Sequence, residues 1–502
     1  MTGVQTCALP ISEGSDLRRS PFRPITDFLP QSGHFGFLPF RFIKLDDFRY
    51  VLTNFAGEYI VTDRDNLVRF VKKDLAPDSD LYAQLKSRHF LTDSANSVAL
   101  NLLATKYRTK QQPLSEFTGL HMFVPTLRCN NSCLYCQVSR KSSTADGFDM
   151  TQAVAERGIE FMFSSPSTVL KLEFQGGEPL LNFDIVRYIV ERTRELCRTN
   201  ERIVNIVICS NLALLSGEML DFCDRHDVSF STSLDGPREL HNLNRPSRDF
   251  DSYERACAGI ARIRERLGVE RVSALMTTTR HSLSQPTEIV DEYLRQGLAS
   301  IFLRPINPYG FASSPGTVVS YSTAEWLEFY KKTLDYIIDL NLRGVRIREE
   351  YTALLLRRML TPFGTGFVDL QSPAGIGISA VVFNHDGNVY PSDESRMLAE
   401  MGDQGFCIGN LLSDSYKDMM LSDILIDTIS QTMTECVPSC VDCGFQPYCG
   451  ADPIRHYRLQ GDIVGYKPTS EFCQRHMGLF RHIISILEKR DTESEVLMNW
   501  LQ

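Results

Sequence analysis

Between Gly119 and Gly344, short apolar segments alternate with amphipathic ones six times at regular spacing. HMFVPT, TVLKLEFQ, RIVNIVIC, VSFSTSL, RVSALMTTT and SIFLRPI read as strands. The segments opening DMTQAV, NFDIVRY, SGEMLDF, DSYERAC, PTEIVDE and TAEWLEF read as helices. A strand followed by a helical crossover lies parallel to the next strand, so the chain is expected to build βα units in one direction. Six such units fall short of the eight that close a barrel. The expected fold class is therefore α/β, with a partial (β/α)6 barrel over residues 119–344.

Parallel barrels carry their chemistry at the C-terminal ends of the strands. Polar motifs recur at those ends here. After the first strand comes PTLRCNNSCLYCQVSRK, residues 125–141, with Cys129, Cys133 and Cys136 spaced C-x3-C-x2-C. QGGEP (175–179) follows the second strand and SNL (210–212) the third. SLDGP (233–237) closes the fourth and RPINP (304–308) the sixth. Three thiolates, where a structural zinc or a complete four-iron cluster takes four protein ligands, leave one metal position open for chemistry. Gly176 and Gly177 lack side chains, which lets backbone approach a ligand closely. Glu178 can accept hydrogen bonds from an ammonium group. Ser210 and Asn211 can bond sugar hydroxyls, and Arg304 can pair with an acidic neighbour.

The flanking segments differ in kind. Residues 1–20 look like translated sequencing-adapter read-through and are set aside, Cys7 with them. Residues 21–115 show short β-type runs broken at Asp46-Asp47 and Ala56-Gly57, then two helical segments with Asp65 and Asp80 near their starts as caps. They read as a small α+β module of peptide-binding type, followed by a polar linker, KYRTKQQPLSEFTG. Residues 345–502 read as a loop-rich, cysteine-rich domain with an Asp-Gly hairpin turn in VVFNHDGNVYPSDESR and a final helix from CQRHMGLF.

The C-x3-C-x2-C motif with Tyr135 before its last cysteine, followed by GGEP, resembles the radical S-adenosylmethionine (SAM) superfamily. The resemblance implies a [4Fe–4S] cluster on Cys129, Cys133 and Cys136 that reduces SAM to methionine and a 5′-deoxyadenosyl radical. It places Gly176, Gly177 and Glu178 against the methionine amine. Ser233 and Arg245, in SLDGPRELHNLNR, resemble SAM contacts of the sulfatase-maturase branch. The segment ECVPSCVDCGFQPYCGADP, with Cys440, Cys443 and Cys449, and the later Cys473 resemble the SPASM domain of radical SAM peptide maturases. That implies one auxiliary [4Fe–4S] cluster on those four residues. Pro453 and Ser392 stand where the family has cysteine, so a second auxiliary cluster is not expected; Cys407 and Cys436 are left over. A zinc knuckle in the same cysteines is the alternative. Asp393 follows Ser392, where a sulfatase maturase carries an aspartate that takes a substrate proton; a solvated turn residue is the plainer reading.

The whole arrangement is similar to the radical SAM maturase of the His-Xaa-Ser peptide system. That implies a precursor peptide or protein substrate, a leader bound by the N-terminal module as an added strand, an electron donor such as flavodoxin or ferredoxin, and companion maturation proteins. The alternatives are an anaerobic sulfatase-type maturase oxidising serine or cysteine, and a non-catalytic iron–sulfur or zinc scaffold. A net charge of −9, from 53 basic and 62 acidic side chains, argues against nucleic acid. No apolar run is long enough to span a membrane, and the N-terminus lacks a secretory pattern. Fourteen cysteines in 502 residues, grouped rather than spread, point to metal binding in a reducing, cytoplasmic compartment. Cys197, Cys209, Cys223 and Cys257 read as small core residues.

Overall fold

The computed structural model describes residues 35–93, 97–115, 117–313 and 319–501. The expectation for residues 1–20 lies outside them.

Six parallel strands form one sheet whose spatial order runs opposite to chain order. Leu303–Arg304 lies at one edge, followed by Val272–Thr277, Val228–Ser233, Ile203–Cys209, Val169–Gly176 and Leu120–Thr126. Each crossover helix therefore steps the chain in the same direction around an open barrel. Alternation along the strands divides its two faces. Leu170, Leu172 and Phe174 are buried beneath the helices with Val204, Ile206 and Ile208. Lys171, Glu173 and Gln175 take the alternate positions and line an internal cavity, as do Cys209, Ser231 and Ser233. The barrel interior is thus polar and open where a fully closed barrel is packed with branched side chains.

Two features depart from the expected pattern. The sheet continues beyond residue 344. Ala380–Phe383 pairs in parallel with the first strand, Val382 opposite Met122. Asn388–Tyr390 and Gly409–Asn410 then add antiparallel strands. The Asp386-Gly387 turn joins the first of these, with Gly387 at φ +88°. The sixth strand, by contrast, is split. Ser300–Ile301 pairs with Arg348–Glu349, and only Leu303–Arg304 reaches the barrel sheet. The buried Glu349 carboxylate accepts the Leu303 amide at 3.1 Å, which takes that N–H from the ladder.

The N-terminal module is a three-stranded antiparallel sheet, Phe40–Lys44, Arg49–Asn54 and Tyr59–Asp63, turning at the expected places. It is closed by helices Arg64–Val71 and Asp80–Ser87. Their caps are Asp63 and Ser79, not Asp65 and Asp80: each cap side chain accepts the N–H three residues on, while the expected aspartates sit inside the first turn. The polar linker is half helix. Val98–Gln111 runs through KYRTKQ and buries Lys110 against the Arg358 carbonyl at 3.2 Å. The module docks on the C-terminal cysteine segment. The Thr53 hydroxyl donates to the Gly444 carbonyl at 2.7 Å, and the Tyr448 hydroxyl to that of Gly57 at 2.8 Å. A Cβ on Gly444 would lie 3.0 Å from the Ile43 amide nitrogen, so the loop needs glycine to come this close. Among the described residues no helix is long and apolar enough to cross a membrane.

Candidate active site

One cavity of about 450 Å³ gathers the motifs that the sequence scatters over more than 260 residues. Cys129, Cys133, Cys136, Gly176, Gly177, Glu178, Ser210, Asn211, Ser233, Arg245 and Asp393 all border it. The cysteine loop is held from two sides. Ser132 and Leu134 donate backbone N–H groups to the carbonyls of Pro246 (2.8 Å) and Asn244 (2.9 Å). On the other side, Phe311 donates to the Cys136 carbonyl at 2.8 Å.

The glycine pair works differently from the sequence expectation. A Cβ at Gly177 would overlap the carbonyl oxygens of Arg128 and Leu127, and one at Gly176 that of Thr126. The close approach is therefore to the first strand and the start of the cysteine loop. Gly177 and Glu178 donate their amides to Thr126 (2.9 Å) and Arg128 (2.7 Å), tying the second motif to the first. Gly176, at φ +119°, is also in a backbone conformation that disfavours side chains.

Glu178 is 1 % exposed and accepts three hydrogen bonds. Its donors are the Leu180 amide at 3.0 Å, the Ser210 hydroxyl at 2.8 Å and the Asn211 amide at 2.8 Å. Burial raises its carboxyl above the ordinary range, against the opposing effect of these bonds. The Asn211 carboxamide donates to Asn130 (2.7 Å) and Asn131 (3.1 Å) inside the cysteine loop. Ser210 and Asn211 thus join the ends of the second and third strands to the cysteine loop, and their expected donors to a sugar are already engaged.

A second network was not legible in the motifs. Asp235 is fully buried and accepts the Tyr135 hydroxyl at 2.7 Å and Arg245 Nε at 3.1 Å. The Arg245 guanidinium also lies over the Tyr135 ring, 5.1 Å from its centre. Burial pushes the Cys133 thiol up to about 11, while Arg245 pulls the other way. The aromatic residue of the cysteine motif and the arginine of the fourth loop therefore share one buried anion. The signal for it was the Asp in SLDGP. Cys209, expected as core filling, borders the same cavity and donates its thiol to Glu173 at 3.3 Å.

Asp393 is no solvated turn. It opens the helix Asp393–Glu400, behind the capping residue Ser392, and its carboxylate accepts Nε (3.0 Å) and Nη2 (2.7 Å) of the fully buried Arg396. Arg304 has acidic neighbours, as expected: burial raises the carboxyls of Asp369 and Glu394, which border the same cavity, and the Arg304 charge lowers them.

The C-terminal cysteines form a separate group. Cys440, Cys443, Cys449 and Cys473 border a cavity of about 350 Å³ whose wall includes Phe42 and Ile43 of the N-terminal sheet. Burial raises all four thiols, Cys440 to about 11, and Lys467, Arg481 and Arg41 oppose it. The positions that lack cysteine have local roles: Ser392 caps a helix, and Pro453 begins the helix Pro453–Gln460. Cys407 and Cys436 lie outside this wall.

Among the described residues, no three His, Cys, Asp or Glu side chains are arranged to hold a single metal ion. In the barrel, three free thiols at one end of a roomy polar cavity suit an iron–sulfur cluster with one open position, whose ligands stand further apart than those of one zinc.

Residues 123–292 match the radical SAM superfamily model. Over that third of its length the chain is similar to radical SAM enzymes. The superfamily implies a [4Fe–4S] cluster and SAM. A cysteine-type anaerobic sulfatase-maturating enzyme of Clostridium perfringens is 24% identical over 274 residues, 53% of this chain and 71% of that one. Two solved structures share the fold. One is the enzyme anSMEcpe with bound AdoMet (TM-score 0.62, 18% identity, 76% of this chain and 98% of that one). The other is SuiB of Streptococcus suis bound to the precursor peptide SuiA (TM-score 0.51, 15% identity, 88% and 100%).

Proposed function

We propose that this radical SAM enzyme modifies a ribosomally made peptide of the His-Xaa-Ser repeat type after translation. The observation that carries the reading is the single cavity shared by the three cysteines, the GGE segment and Asp393. It opens beside a second cavity on the side of the C-terminal domain, which leaves room for an extended chain to enter. The precursor peptide bound to SuiB and the target of the Clostridium perfringens maturase favour a peptide or protein substrate over a small molecule.

Cys129, Cys133 and Cys136 would hold the cluster, which together with SAM would supply radical hydrogen-abstraction chemistry. Gly176, Gly177 and Glu178 set the edge against which the methionine amine rests, latched by Ser210 and Asn211. Ser233 and Arg245 face the rest of SAM, with Arg245 oriented by Asp235. Asp393, held in place by Arg396, is the proton acceptor. Cys440, Cys443, Cys449 and Cys473 would hold one auxiliary [4Fe–4S] cluster, which would supply electron-transfer chemistry. The N-terminal module, residues 21–115, binds a leader by strand addition. A flavodoxin or ferredoxin supplies electrons, companion proteins deliver substrate, and the cytoplasm is the compartment.

The test incubates reduced, oxygen-free protein with SAM, with and without a His-Xaa-Ser precursor. Precursor-stimulated 5′-deoxyadenosine, lost when Cys129, Cys133 and Cys136 become alanine, is expected. No 5′-deoxyadenosine would leave a scaffold. Iron should be about eight per chain, falling to about four in the triple variant. About twelve would mean a second auxiliary cluster, and about four with one zinc would mean the C-terminal group is structural. A sulfatase-type maturase is the second reading, favoured by the Clostridium perfringens relative. Turnover of a Cys- or Ser-bearing sulfatase peptide but not of the repeat peptide would select it.

A further inference from the structure

The barrel interior has a second mouth. A cavity of about 580 Å³ lies at the N-terminal ends of the strands and shares Lys171 and Glu173 with the cysteine cavity. Its charges do not balance. Glu173, the one acid in its wall, already pairs with Lys171 at 2.7 Å and accepts the Gln175 carboxamide at 2.7 Å. Two further cations border it: Arg358, on the helix Glu350–Leu360, and Lys110, on Val98–Gln111. Each is 8 % exposed, and neither makes an ion pair among the described residues. Arg358 Nε has no partner, and Lys110 donates to the Arg358 carbonyl at 3.2 Å, which brings a second positive charge beside the first.

The acids that act on these cations from neighbouring elements are committed elsewhere. Glu58 pairs with Lys106 at 2.6 Å and His89 at 3.2 Å, and the Glu435 carboxylate accepts the Ser372 hydroxyl. Cys449 belongs to the wall of the C-terminal cysteine cavity, which Arg358 does not border. Burial and the Arg358 charge hold the Lys110 ammonium down to about 7, and burial lowers Arg358 as well. Two like charges taken out of water without a counter-charge are costly. A cationic or neutral ligand would leave that cost in place. A carboxylate removes it, because its two oxygens match a guanidinium fork.

The size of the space says what carries the carboxylate. A free ion would leave most of the cavity empty, whereas an extended chain running down the barrel fills it. Lys171 stands five positions before Gly176 on one strand, about 17 Å at about 3.3 Å per residue. We propose that this mouth is an anion subsite, in which Arg358 and Lys110 hold an acidic residue of the peptide substrate about five positions from the residue that reacts. The inference rests on the peptide-substrate reading above and adds the chemistry of the flank.

The test is a binding cycle on the full holoenzyme, oxygen-free, without reductant and at pH ~6.5, where Lys110 is charged. The probe is a fluorescein-labelled synthetic peptide of two His-Ala-Ser repeats with aspartates at both ends, compared with its twin bearing asparagines. The chain carries a net charge of −9, so long-range attraction does not favour the acidic peptide. Each peptide is titrated by anisotropy against wild type, Arg358→Gln and Lys110→Met, with the exposed Arg343→Gln as control. Iron content and thermal midpoint certify folding. The expected result is about tenfold tighter binding of the acidic peptide to wild type and Arg343→Gln, shrinking to less than twofold on the other two variants. Equal binding of the twins to wild type, or an undiminished advantage on both Arg358→Gln and Lys110→Met, would overturn the subsite. Inorganic phosphate that competes at lower concentration than the acidic peptide would overturn a substrate carboxylate in favour of a free anion. Glu116 lies outside the described residues; acidic-peptide binding that strengthens tenfold in Glu116→Gln would show the chain's own carboxylate to be the occupant and overturn the proposal as well. If both twins stimulate 5′-deoxyadenosine formation and bind alike, only the subsite falls. If neither binds nor stimulates, the substrate reading falls and the subsite with it.

Discussion

Glu178→Gln separates a latch from a ligand contact. One carboxylate oxygen accepts the Leu180 amide and the Ser210 hydroxyl, and the other accepts the Asn211 amide. Glutamine has one acceptor oxygen. In its better orientation it keeps the first two bonds and turns an NH2 toward the Asn211 N–H. Losing a bond to a charged acceptor costs about 1.5–3 kcal/mol, and a buried unsatisfied donor about 1–3 kcal/mol more. The raised carboxyl of Glu178 shows that its ionised form is not fully compensated, so a neutral side chain recovers part of this. The net loss is about 2–3 kcal/mol. At about 2–4 °C per kcal/mol for a unit of this size, the thermal midpoint should fall by about 4–12 °C. SAM affinity, measured by equilibrium dialysis well below that midpoint, should fall with it, because Asn211 no longer holds the cysteine loop. An unchanged midpoint with SAM affinity abolished would refute the latch and make Glu178 a direct ligand contact.

Other outcomes follow from the same geometry. Burial holds the Lys110 ammonium down to about 7, while in the unfolded chain it titrates near 10.4. Between those values the unfolded state binds more protons, so this group makes stability rise from pH ~7 to pH ~10. Lys110→Met should raise the midpoint at pH 7 and flatten that rise; an unaltered slope in a pH series of melts would reject burial as the cause. Asp393→Asn removes the charge that neutralises the buried Arg396 and should cost about 3–5 kcal/mol of stability. Its chemical role is read separately, below the new midpoint: turnover lost with SAM cleavage kept supports proton acceptance, and full turnover ends it. Deleting residues 21–115 should speed alkylation of Cys443 in metal-free protein, since Ile43 and Phe42 wall its cavity. Equal labelling rates by mass spectrometry would show that the docked sheet does not shield it.

The parallel units were legible because each is a local pattern: an alternating strand, a cap and an amphipathic helix within some thirty residues. The split of the sixth strand was not, because it depends on Glu349, 46 residues beyond Leu303. The strand Ala380–Phe383 was hidden for a similar reason. Its apolar run could pair anywhere, and only the free edge of Leu120–Thr126 fixed its place. The two helix caps were misassigned because several oxygen-bearing residues stand together at each start, and backbone geometry chooses among them.

Spacing alone determined the three-cysteine loop and the GGEP turn, because ligands within eight residues and a glycine pair are constraints of the local chain. It could not say what the glycines approach: the obstructing carbonyls of Thr126, Leu127 and Arg128 lie some fifty residues earlier. Nor could it say that Tyr135 and Arg245 share Asp235, that Asp393 is held by a buried arginine, or that Arg304, Asp369, Glu394 and Arg475 meet around one space. Charge neutralisation and desolvation depend on what is near in three dimensions. Sequence determined which chemical groups this enzyme has, and tertiary structure decided which of them are already spent on one another and which remain for a substrate.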